Sequence, residues 1–66
     1  MPITGLDLRA ERRRADITVV DIAARMGVSR QTVHMLEKSA VLTVEREVQY
    51  RRALAAAIVA AREAVA

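Results

Sequence analysis

The sequence predicts an all-α domain of about four helices, the last of them long. Three observations lead there. The 66-residue chain is 53 % hydrophobic, yet it holds no Phe, no Trp, no Cys and a single Tyr. Its apolar share is Ala, Leu and Met with Val and Ile, a set that leans towards helix. Punctuation is sparse, with Pro2 and Gly5 at the start and Gly27 the only interior glycine. Finally, apolar residues recur at helical spacing: Val19, Ile22, Ala23 and Met26 fall at i, i+3, i+4 and i+7.

The first helix is expected from about Asp7 to Ala15, with Asp7 as its cap and Leu8 facing inward beside the stems of Arg9 and Arg12. Arg12, Arg13 and Arg14 gather at its end, where cations suit the helix dipole. The second runs over Ile17 to Met26. Thr18 is a good N-cap, and Asp21 three residues on makes a weak capping box. Gly27 falls where a helix closes in a left-handed residue. The third begins at the capping Ser29 and runs through Glu37. Val33 and Leu36 point one way; Arg30, Gln31, His34 and Met35 group on another side. After a break over Lys38 to Thr43, the fourth runs from Thr43 to Val65, about 34 Å if unbroken.

That last helix is longer than so small a globule can cover. A 66-residue chain buries only roughly 60 % of its unfolded surface, and partner chains often supply the deficit. Val44, Val48, Arg51, Ala55, Ile58, Arg62 and Val65 alternate at 4-3 spacing, and Ala53 to Ala61 carries no charge. A homodimer seam of Leu54, Ala55, Ile58, Ala61 and Val65 is therefore expected. The whole, residues 1–66, reads as one domain, with a core at 7–42 and a C-terminal dimerisation helix at 43–66.

Composition excludes several functions. Without Cys there is no disulfide framework, cysteine nucleophile or thiolate metal site. His34 and Glu37, at i and i+3, lack the further ligands that a metal centre needs. Glu45 and Glu47 lie on different helix faces, so paired-carboxylate catalysis finds no support, and no Gly-rich phosphate loop exists. No enzyme and no cofactor is expected. One Tyr cannot build an aromatic platform for stacked bases. No apolar run approaches the roughly 18 residues of a membrane span. Met1 to Leu8 has no basic region followed by an apolar block, so the cytoplasm is the expected location. The net charge is +3, and ten of eleven basic residues are Arg. Arginine pairs bidentately with phosphates and guanine edges. A GC-rich genome also raises Arg and Ala, so charge by itself does not establish a nucleic-acid partner.

The informative unit is Ile22-Ala23-Ala24-Arg25-Met26-Gly27-Val28-Ser29-Arg30-Gln31-Thr32-Val33. Two helices joined by a short turn with glycine make a helix-turn-helix. Ala23 lets the helices approach, Gly27 supplies a positive φ, and Val28 plugs the turn. Ser29 caps the second helix and Val33 anchors it. The polar face of that helix is then free for the major groove of DNA.

This unit resembles the Cro/C1-type, or XRE, helix-turn-helix family over about Leu8 to Glu37. The matching features are Arg12, Ile22-Ala23, Gly27-Val28-Ser29, Val33 and Leu36-Glu37. The resemblance implies a dimeric, sequence-specific regulator of transcription, such as a small phage or bacterial repressor, on a palindromic double-stranded DNA site. It also implies an internal ion pair between Arg12 and Glu37. Two features depart from the family pattern. Val19 stands where many members carry a phosphate-bracing Gln, and one long helix replaces two short ones.

On this reading Gln31 is the best base contact, since its amide can pair bidentately with adenine. Arg30 suits guanine or phosphate, Met35 a thymine methyl, and His34 base or backbone. Ser29, Thr32, Thr18, Arg13 and Arg14 suit phosphates. Other readings share the motif. In an antitoxin, the apolar helix would also hold a protein partner, a toxin or another regulator. A MerR or excisionase-type winged helix is loosely echoed by Tyr50-Arg51. A pure interaction module would have no affinity for DNA.

Overall fold

The computed structural model describes residues 3–65. Four helices follow one another: α1 (Gly5–Arg14), α2 (Val19–Met26), α3 (Arg30–Lys38) and α4 (Val44–Val65). Among the described residues there is no strand. The chain is thus all-α, as its composition and spacing predict.

Each boundary has a local cause. α1 starts two residues earlier than expected, because Thr4 and not Asp7 is its cap. The Thr4 side chain accepts from the Asp7 backbone N–H, and the Asp7 carboxylate accepts from the Thr4 N–H at 2.8 Å, a complete capping box. Its exit is made by Asp16, which sits at φ 60°, a left-handed conformation that Asp tolerates better than most residues. Thr18 and Ser29 cap α2 and α3 by accepting from the N–H groups of Asp21 and Thr32. Gly27 closes α2 at φ 72°. A Cβ there would meet nothing within 4 Å, so glycine serves the backbone angle and not a lack of room. Thr43 caps α4 by accepting from the Arg46 N–H.

The core is built by Leu8 of α1, Ile17 of the first turn, Ile22 and Ala23 of α2, Val33 of α3, and Tyr50, Ala53, Leu54 and Ala57 of α4. The last four recur at i, i+3, i+4 and i+7, and that face of α4 points inward. α4 completes the core that the helices of residues 7–42 begin. Leu54, assigned to a dimer seam, is buried within its own chain. Tyr50 lies in mid-helix and is fully buried, so it belongs to no wing.

Gly5 has the opposite role to Gly27. Its N–H donates to the Ser39 carbonyl, and an added Cβ would lie 2.0 Å from the Leu36 oxygen. The start of α1 thus presses directly on the end of α3. Replacing Gly5 by Ala must push the two helices apart, at a cost of about 1–3 kcal/mol. Urea unfolding of Gly5→Ala followed by circular dichroism measures this; an unchanged midpoint would contradict the close approach.

Candidate nucleic-acid interface

α3 is held by one side only. Val33 is completely buried and Glu37 is 2 % exposed, whereas Arg30, Gln31, His34 and Met35 are exposed. Met35, a residue type common in cores, is 65 % exposed. The polar, long-armed side of the helix therefore faces outward, with none of the described residues across it.

The anchor is a three-residue network. Arg12 on α1 meets Glu37 with two parallel contacts, Nε to Oε2 at 2.7 Å and Nη2 to Oε1 at 3.1 Å. The Arg12 Nη1 donates to the Ile17 carbonyl at 2.9 Å. Tyr50 on α4 donates its hydroxyl to Glu37 Oε2 at 2.5 Å. Burial pushes the Glu37 carboxyl up, but the hydrogen bonds from Arg12 and Tyr50 together outweigh it and hold the pKa below its ordinary value. Burial, then the Glu37 hydrogen bond, pushes the Tyr50 phenol well up, so it stays protonated and donates. Three helices thus meet on one carboxylate. The Arg12–Glu37 part follows from the family resemblance; Tyr50 as third member was missed, although it is the only aromatic residue of the chain.

The other residues marked for DNA sit as follows. The Ser29 Oγ accepts from the Thr32 N–H and lies 3.0 Å from the Thr32 hydroxyl, so both hydroxyls are engaged at the start of α3. Thr18 is exposed at the N-terminus of α2, its oxygen occupied by its capping bond. Arg13 is exposed beside Leu6, Arg9 and Ala10, and the Arg14 Nε donates to the Ala10 carbonyl at 3.4 Å. Val19 packs half-buried against the core and makes no phosphate brace. Of the expected seam, Ala55 and Ala61 are exposed and Ile58 is half-buried; the side chain of Val65 lies outside the described residues. Among the described residues no cluster of acids and histidine could hold a metal ion, and no helix is long and apolar enough to cross a membrane.

α2, its left-handed glycine and a capped, outward-facing α3 form a helix-turn-helix. The chain belongs to the Cro/C1-type (XRE) helix-turn-helix family, whose helix-turn-helix pattern matches residues 8–57. No curated protein and no solved structure matches it. The family is one of DNA-binding regulators and not usually catalytic; this chain is a DNA-binding regulator of that type.

Two outcomes follow from the network. Arg12→Ala leaves a buried carboxylate without its cation and should cost roughly 3–5 kcal/mol, measured by urea unfolding. A carboxyl whose pKa is lowered by folding stabilises the fold above its unfolded value and ceases to do so as pH falls through the folded one. The melting temperature should therefore drop as pH is lowered from the ordinary glutamate value of 4.5. In Glu37→Gln that part of the acid dependence should vanish. Parallel acid profiles for the two proteins would remove Glu37 as its source.

Proposed function

We propose that this regulator is a repressor that acts in the cytoplasm as a homodimer on a palindromic operator. The observation that carries the reading is the free outward face of α3, with Arg30, Gln31, His34 and Met35 exposed above a fully buried Val33. An amide and a guanidinium on adjacent positions supply the two side-chain types that read adenine and guanine edges in the major groove. Arg13, Arg14 and the N-termini at Thr18 and Ser29 supply phosphate contacts that set the register. A dimer bound over a promoter blocks access by occupancy alone, so repression asks nothing more of the chain.

Self-association is supported by α4. Val44, Val48, Ala55 and Val59 lie at spacings of four, seven and four, on the side away from Tyr50 and Leu54. Val44 is 77 % exposed and Val59 51 %. These residues, with the half-buried Ile58, form the proposed seam, which leaves out Leu54 and Ala61, seven residues on from it along the same face. The dimer would present its two α3 helices about 34 Å apart, one turn of B-DNA.

Gln31→Ala should weaken binding to a selected site by about 1–3 kcal/mol while leaving affinity for unrelated duplex unchanged. Fluorescence anisotropy with both duplexes measures the pair, and equal losses would show that Gln31 reads no base. Val59→Asp should convert dimers to monomers in sedimentation equilibrium. A chain already monomeric before substitution would overturn the homodimer.

A further inference from the structure

Beside the reading face of α3 lies a cleft of whose lining only His34 is among the expected DNA contacts. It is lined by Leu6, Arg9 and Arg12 of α1 and by His34, Glu37 and Lys38 of α3, with a volume of about 190 Å³. It runs on at both ends. His34 and Lys38 also line a shallower hollow with Arg30 and Gln31, and Leu6 and Arg9 line another with Ala10 and Arg13. One furrow therefore leads from Gln31, past His34 and Lys38, to Arg9 and Arg13.

The charges along this furrow are unbalanced. Glu37 at its floor is consumed by Arg12 and Tyr50. Asp7 is held in the capping box of α1, and Glu11 pairs with Arg51 of α4 at 2.9 Å. Asp21 pairs with Arg25. Thus Glu37, Glu11 and Asp21 each have a cationic partner within the chain, and Asp7 is held by the Thr4 hydroxyl and N–H. Among the described residues Arg9, Arg13, Arg30 and Lys38 take part in no ion pair. The strip is left with uncompensated cations around a concave surface, which is a seat for a phosphate.

We propose that the cleft between α1 and α3 takes a backbone phosphate of the duplex, clamped between Arg9 and Lys38. This rests on the DNA-binding reading and adds a position to it. With Gln31 in the groove, the furrow lies alongside the same helix and receives the adjoining strand. Its phosphate fixes how far α3 enters, while contributing nothing to the choice of base. Arg9 and Lys38 are thus positioning contacts, and Arg13 extends them.

The test is the salt dependence of duplex affinity, measured by anisotropy on the full chain from 50 to 200 mM salt. Each lost phosphate contact lowers the slope of log K against log salt by about 0.9. Arg9→Ala and Lys38→Ala should each lower it by about that amount and weaken selected and unrelated duplexes by the same factor. Arg52→Ala, which removes an exposed cation from a separate hollow lined by Arg25, Met26 and Gln49, should leave it unchanged. Both side chains are exposed, and circular dichroism checks that the variants stay folded. Unaltered slopes in both variants, with a wild-type chain that binds duplex, would overturn the phosphate seat and leave the DNA reading intact. A wild-type chain with no duplex affinity even at 50 mM salt would sink the DNA reading itself. Should inorganic phosphate shift the His34 ring resonances while both variants keep full duplex affinity, the cleft belongs to a small anion and the proposal is wrong.

Discussion

A single buried carboxylate, that of Glu37, decides where α3 sits. It closes α3, accepts two parallel bonds from Arg12 of α1, and takes a third from Tyr50 of α4. No apolar contact could substitute for its directionality. Hydrophobic packing around Val33 buries one side of α3 but does little to stop the helix from rolling or sliding. A charge that must keep three donors in place does both. Such a network adds little net stability compared with a greasy core of equal volume, and its value lies in specifying one arrangement. The exposed pairs, Asp21 with Arg25 and Arg51 with Glu11, carry no comparable weight, since water screens them.

The same carboxylate joins regions with different tasks. α1 contributes Arg12 inward and Arg9 and Arg13 outward; α3 contributes Glu37 inward and Gln31 and Arg30 outward; α4 contributes Tyr50 inward and valines outward. Each helix is thus split between a shared anchor and a surface of its own. Gly5 makes the split possible, because only a residue without Cβ lets α1 begin against the end of α3. The furrow between these two helices is a direct result of that contact.

Much of this is legible in the sequence, for physical reasons. α2 and α3 carry strong amphipathic spacing, each with a capping residue before it, and Gly27 marks the turn. Their ends fall where spacing and caps put them, except that α2 begins at Val19 and not at Ile17, because Thr18 caps it and Ile17 lies in the preceding turn. The start of α1 is less legible, because Asp7 is itself a good cap and hides its role as the N3 partner of Thr4, which places the start two residues earlier. The turn at Asp16 left no mark, since an aspartate gives no warning of a positive φ. α4 was the hardest. Its alanines fit every face, so spacing alone does not separate the inward stripe from the outward valine stripe, and Leu54 falls on the inward one. The true inward stripe is announced by Tyr50, yet its reason is a polar bond to a residue thirteen positions away. Arg9 and Lys38 look like ordinary solvated cations, and only the folded arrangement shows that they share a cleft.

On the function proposed above, the outward face of α3 enters the major groove of a duplex. Methylation interference on a site selected from random duplexes tests this most directly, because guanine N7 lies in the major groove and adenine N3 in the minor. N7 methylation should block binding in two clusters one helical turn apart, while N3 methylation between them has little effect. Interference confined to adenine N3, or no enriched site at all, would contradict it.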